Sequence, residues 1–222
     1  MKNIFLYVVL LFSLLACHHN ASSSKDLIED TIVSLPFFNQ PDWTPEWINN
    51  SDSLFKKIHT IPAFSFTDQN GDVITEQTVE GKIYVANFFF TKCRSICPKM
   101  TSNMYLLQEA FKMDSILLFL SHSVTPQSDS VAVLQQYAIE NKINAKQWHL
   151  LTGSKKDIYA LAKQHYFAGD TVGYYQSGDE FLHTENFILI DKHRRIRGVY
   201  NGTLLVEINR IKDDINILKK EE

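Results

Sequence analysis

"KIYVANFFFTKCRSICPKM", Lys82 to Met100, decides how this chain folds. Its first half is apolar at nearly every position from Ile83 to Phe90, with no alternation of apolar and polar residues. A strand reads this way when both of its faces are covered, as at the centre of a sheet with helices on either side. From Cys97 onward the apolar residues Met100, Met104, Leu107 and Phe111 recur at helical spacing. Cys93 and Cys97 therefore stand where a buried strand gives way to a helix. The question is whether they are a disulfide staple, a redox pair or a metal clamp.

The same periodicities extend outward. "SILLFLSHSV" (115–124) reads as a second buried strand, "SDSVAVLQQYAIENK" (128–142) as a helix, "QWHLLTG" (147–153) as a third strand and "SKKDIYALAKQHY" (154–166) as a helix. "HTENFILIDKHRRIRGVYNGT" (183–203) predicts two strands joined near Lys192 and His193, and "EINRIKDDINILKK" (207–220) a closing amphipathic helix. Upstream, "IPAFSFTDQNGDVIT" (61–75) carries Asn70-Gly71 between β-prone runs, a hairpin signal. The order after that hairpin is βαβαβαββα. It predicts an α/β domain with a central mixed sheet flanked by helices.

The chain has 222 residues, 45% hydrophobic and 21% charged, with a formal net charge of -3. One domain is the default. The dense basic run Lys192 to Arg197 falls inside a strand-like segment, so no basic face marks a nucleic-acid binder. "MKNIFLYVVLLFSLLACHHN" (1–20) has the charge and the short apolar core of an export signal, and that core is too short to span a membrane. Leu14-Leu15-Ala16-Cys17 resembles a bacterial lipobox, which implies cleavage before Cys17, lipidation of Cys17 and a membrane-anchored protein facing the periplasm. Residues 1–16 are then a signal peptide. A Ser-rich tether and an irregular Pro/Trp arm, expected to pack its aromatics on the domain, fill 17–58, and 59–222 is the folded domain. Cys93 and Cys97 remain as the only thiols of the mature chain, in an oxidising compartment.

Ligands of α/β sheets bind beyond the carboxyl ends of strands, and a helix N-terminus there stabilises a thiolate. Residues four apart on a helix lie about 6 Å apart at Cα, within the roughly 4.4 to 6.8 Å a disulfide spans. Two converging thiolates equally suit a soft ion such as Cu(I). Geometry alone does not choose, and a metal reading needs a third ligand. His18, His19 and His59 read as surface residues, His149 and His165 as packed or solvated, and His193 as an exposed turn residue. His122, just past a strand end, is a rim candidate, and His183 precedes the strand that enters the last hairpin.

These residues resemble the Sco/SenC family of copper-handling proteins within the thioredoxin superfamily. The match is Cys-x-x-x-Cys-Pro after a buried strand (Cys93, Cys97, Pro98) and a distant histidine beside Thr184 ahead of "FILID" (His183). It covers roughly residues 60 to 218. The resemblance implies a thioredoxin-like fold with an N-terminal β-hairpin, and a copper site in which Cys93 and Cys97 bind Cu(I) as thiolates and His183 completes a set that also accepts Cu(II). It implies a metallochaperone for the dinuclear copper centre of cytochrome c oxidase, with that enzyme's copper-bearing subunit or another extracytoplasmic copper protein as partner. Leu182 departs from the acidic residue usual before the histidine, and Val124-Thr125 replaces the usual Ile/Val-Asp, while Pro126 and Asp129 remain. That altered loop leaves open a contribution from His122.

A thiol-disulfide oxidoreductase is the alternative, with Cys93 attacking and Cys97 resolving as catalytic residues. Familiar reductases of this fold use two intervening residues and a cis-proline, and this sequence has neither. A structural disulfide closing so small a loop would stabilise only weakly.

Overall fold

The computed structural model describes residues 34–169 and 184–221. Cys17, the signal and tether to residue 33, and His183 lie outside the described residues. A five-stranded sheet in the order β7-β6-β5-β8-β9 forms the centre. Its strands are β5 (Ile83–Phe89), β6 (Leu117–Ser123), β7 (Trp148–Leu151), β8 (Asn186–Ile190) and β9 (Ile196–Asn201). β5, β6 and β7 are parallel, and β8 and β9 are antiparallel. The parallel crossovers carry helices α1 (Cys97–Ala110) and α2 (Val131–Glu140). Helix α3 (Lys155–Gln164) follows β7, and α4 (Leu205–Leu218) closes the chain.

All seven residues of β5 are buried, as the unbroken apolar run predicts. Alternation along β5 separates two cores. Ile83, Val85 and Phe89 face a layer with Met100, Met104 and Leu107 of α1, Leu134 of α2, and Ile208, Ile211 and Ile215 of α4. Tyr84, Ala86 and Phe88 face the opposite layer, built from Ile158, Leu161 and Ala162 of α3 and Phe66 and Ile74 of an added hairpin. Cys93 and Cys97 belong to the first layer.

That hairpin pairs β3 (Ser65–Thr67) with β4 (Val73–Thr75). Its loop runs over five residues, longer than a two-residue Asn-Gly turn, because the Asp68 carboxylate accepts the N-H groups of Asn70 and Asp72 and organises the turn. Gly71 supplies the left-handed backbone there, with φ of 86°. The loop then covers the sheet's outer edge. Gln69 donates to the Trp148 carbonyl and accepts from the Leu150 N-H, imitating a partner strand along β7.

The Pro/Trp arm is less irregular than its prolines predict. It forms a two-residue antiparallel pair, β1 (Phe37–Phe38) with β2 (Pro45–Glu46), and a 3-10 turn at Ser53–Lys57. Phe37 and Trp43 pack as expected, Trp43 edge-on to Phe167 at 5.9 Å. Trp47 does not, being 67% exposed. Arg197 holds this arm. Its buried guanidinium lies 4.2 Å from the centroid of the Phe37 ring, donates to the Leu35 and Pro36 carbonyls, and pairs with Asp191 and Glu221. Much of the basic run is thus spent on internal pairing.

Replacing Arg197 with Met takes the buried cation away from Glu221 and Asp191, the latter keeping Arg195, and leaves the Leu35 and Pro36 carbonyls without its N-H donors. Breaking a buried pair in this way should cost about 3 to 5 kcal/mol of stability, read by urea unfolding. A loss under about 1 kcal/mol would show that the clamp is not structural.

Candidate metal and thiol site

Helix α1 begins without a side-chain cap. Ile96 occupies the N-cap position and accepts no backbone N-H through its side chain, and Pro98 in the first turn has no N-H to offer. The N-H groups left free at this end need acceptors. Cys93 supplies one. The Cys97 N-H donates to the Cys93 Sγ at 3.4 Å, and the Ser95 and Ile96 N-H groups are also directed at that sulfur. Cys93 itself lies in the loop ahead of the helix, and Cys97 is the first helical residue. The two thiols thus bracket the point where the strand's following loop turns into the helix.

Both thiols are free and buried, at 8% and 4% exposure. Burial works to raise the pKa of Cys93, but the hydrogen bonds from the Cys97 thiol and from three backbone N-H groups outweigh it and hold the value below the ordinary range. Burial, reinforced by the hydrogen bond given to Cys93, pushes Cys97 up to about 12. Cys93 is therefore the more acidic of the two thiols, while Cys97 keeps its proton.

Two networks around the thiols are not visible in the sequence, although Asp129 itself is retained from the family pattern. Asp129, fully buried, accepts from the Thr91 hydroxyl at 2.6 Å and from the Ser123 hydroxyl at 2.6 Å, with Thr125 Oγ1 and the Thr91 N-H adding to the set. It fixes the loop leading into Cys93 against the end of β6. Tyr137 of α2 shares a hydrogen bond of 2.7 Å with Thr101, one turn past Cys97. Burial chiefly raises its pKa, and both cysteines add to the rise. Thirty-eight residues separate Thr91 from Asp129, and no spacing rule in the sequence links them.

His122 is corrected. It lies within β6 and not past its end, fully buried and facing the layer opposite the thiols. Phe64, Phe66, Phe88 and Tyr166 surround its ring. Among the described residues, neither of its ring nitrogens has a hydrogen-bond partner, and burial lowers its pKa to about 3. The sheet itself separates it from Cys93 and Cys97, so it cannot join them around an ion. His59 is also more enclosed than a surface residue, since its Nε2 meets the His165 carbonyl at 2.8 Å and its ring stacks on His165. His149 packs against Asp68 at 2.9 Å, and His193 is exposed. Among the described residues, no group of three His, Cys, Asp or Glu side chains could hold a metal ion. None of their helices is long and apolar enough to cross a membrane.

The SCO1/SenC family model matches residues 53–218. A SCO1 protein homolog of Bacillus subtilis is 30% identical over 146 residues, which cover 65% of this chain and 75% of that protein. A SCO1/SenC family lipoprotein from Bacillus anthracis is similar in structure, with a TM-score of 0.64 at 30% identity over 73% of this chain and 96% of the other. BsSco, a member of the Sco family of cytochrome c oxidase assembly proteins in which a disulfide switch was identified, gives a TM-score of 0.61 at 25% identity, covering 74% and 96%. Copper-bound ScoI of Bradyrhizobium japonicum shares the fold, with a TM-score of 0.57 at 21% identity over 72% and 99%. The thioredoxin-like fold of these proteins is the mixed sheet and four helices described above.

Two measurements check the site. Iodoacetamide should label Cys93 ahead of Cys97, with a midpoint in the pH-rate profile below the usual thiol value of about 8.5. Cys97→Ala, which removes the side-chain donor, should move that midpoint upward, and an unshifted midpoint in the parent contradicts the arrangement. For His122 the folded pKa lies below the unfolded one, so its contribution to stability is complete above about pH 6.5 and declines as the pH falls toward 3. His122 alone should take about 1.4 kcal/mol per pH unit from the stability measured by urea unfolding in that window, and His122→Phe should lower the slope by that amount. Parallel pH curves for the two proteins would refute it.

Proposed function

Because the chain belongs to the SCO1/SenC family, we propose that it is a copper-binding metallochaperone for assembly of the dinuclear copper centre of a cytochrome c oxidase. The observation that carries this reading is the pair of free thiols at the start of α1, with one sulfur held in a cluster of N-H donors. Copper is the cargo. Thiolate sulfur is a soft donor suited to Cu(I), and the chemistry of the pair fits that ion. His183 is the third ligand, its imidazole adding a donor suited to Cu(II). It precedes Asn186 by three residues in the sequence, and Asn186 opens β8 at the end of the sheet where β5 delivers the thiols. This supports the assignment. A donor set at the rim of a sheet can hand its ion to a partner without unfolding.

The chain's first 16 residues are a signal peptide in this reading. Cys17 carries lipid, 17–58 form tether and arm, and 59–222 face the periplasm. The lipoprotein relative from Bacillus anthracis supports the anchor.

One observation favours a second reading, a thiol-disulfide oxidoreductase that reduces target cysteines before metallation. The thiols differ in acidity as an attacking and a resolving pair do. Cys93 would form a mixed disulfide with the target, and Cys97 would displace it. The protein dithiol is then oxidised to a disulfide as the target disulfide is reduced to two thiols. The disulfide switch of BsSco supports this reading.

Copper titration of the reduced protein separates the two. The chaperone reading expects one copper per chain with a thiolate-to-Cu(II) absorption band, weakened in His183→Ala and lost in Cys93→Ser. Absence of copper uptake against a modest chelator, together with rapid disulfide cycling, would establish the oxidoreductase instead.

A further inference from the structure

The thiols are flanked by exposed positive charge. Lys92, Arg94 and Lys99 flank Cys93 and Cys97, and all three are exposed. The sequence from Phe88 to Gln108 contains no Asp or Glu, although the chain as a whole has a net charge of -3. Among the described residues, none of these three side chains takes part in an ion pair, whereas Arg195, Arg197, Arg210 and Lys219 are all paired.

An exposed apolar run lies on the same rim. β5 runs toward the thiols, and β8, antiparallel to it, starts at that end. Asn186 at the start of β8 pairs with Asn201 at the end of β9. The next residue, Gly202, accepts a hydrogen bond of 2.7 Å from Asn103 of α1, six residues past Cys97, or about 9 Å along the helix. A side chain at Gly202 would collide with Phe187, its Cβ falling 2.7 Å from that ring. The chain then presents Leu204, Leu205 and Val206 at 49%, 54% and 69% exposure.

We infer that Lys92, Arg94 and Lys99, with Leu205 and Val206, form a docking surface for a short acidic segment of a partner polypeptide that also carries apolar side chains. Exposed cations clustered around one site together raise the local concentration of an approaching anion, and the apolar run gives an extended segment something to bury. An anionic lipid surface matches the charge but brings no disulfide sulfur for the thiol to attack. The inference rests on reading the thiols as an exchange site for a partner protein, and not on copper being the cargo.

The test uses two peptides of equal length, each with one cysteine held as a mixed disulfide with thionitrobenzoate. One is flanked by Asp and Leu, the other by Lys and Leu. With the reduced chain carrying Cys17→Ser, the Cys93 thiolate attacks the peptide sulfur. A protein-peptide S–S bond forms, the original S–S bond breaks, and thionitrobenzoate departs with the electron pair and reports the rate. Neutral dithiodipyridine serves as the reference for intrinsic thiol reactivity. At low salt the acidic peptide should react about tenfold faster than the basic one, the ratio should approach unity at high salt, and it should invert in the Lys92→Glu, Arg94→Glu, Lys99→Glu triple variant. Equal rates at low salt, or a preference that survives the triple variant, would overturn the proposal. So would binding to phosphatidylserine vesicles that depends on Lys92, Arg94 and Lys99 without peptide preference, which would make this face a membrane contact. Failure to react even with dithiodipyridine would overturn the thiol-exchange reading itself, and the docking surface with it.

Discussion

The constraint on which the site depends is the bare N-terminus of α1. A helix leaves N-H groups without partners at its start, and they are ordinarily met by a Ser, Thr, Asp or Asn side chain. Ile96 cannot do this, and the Cys93 sulfur, four residues before Cys97, accepts in its place. The donors that complete the helix are therefore the same ones that stabilise a thiolate. Structure and reactivity draw on a single set of hydrogen bonds, and the Cys93 sulfur accepts them for both.

Around that junction the fold is built to keep the sulfur in place. β5 is buried on both faces and cannot shift register without moving its apolar residues between two cores. The buried Asp129 ties Thr91 to Ser123 and Thr125, so the loop before Cys93 is held to the end of β6. Thr125, which departs from the family's usual acidic residue, is itself one of the donors to Asp129. The departure thus removes a charge and adds a hydroxyl to the network. Met100, Met104 and Leu107 anchor the following helix, while Cys97 starts it from within the apolar layer.

The strands, helices and their order could be read from the sequence, because apolar runs and helical periods are long enough to count. The position of the thiols followed from the same pattern. The side facing His122 did not. "SHS" looks like the polar end of a strand, yet Phe89 still pairs with Ser123, and the strand continues through His122 with alternation turning its ring away from the thiols. The Asp129 network joins residues far apart in the chain, and Tyr137 reaches the site only because α2 packs on α1. Two-residue strands such as β1 and β2 are too short to show a period, so the arm's prolines dominated its reading. His183 was singled out by its resemblance to a family pattern and not by periodicity.

The most direct test of the proposed three-ligand copper site is X-ray absorption at the copper edge on the reduced protein loaded with one equivalent of Cu(I). Two sulfur scatterers and one imidazole nitrogen, with the imidazole signal absent in His183→Ala, are the predicted result. A copper shell without sulfur, or an identical shell in His183→Ala, would contradict it.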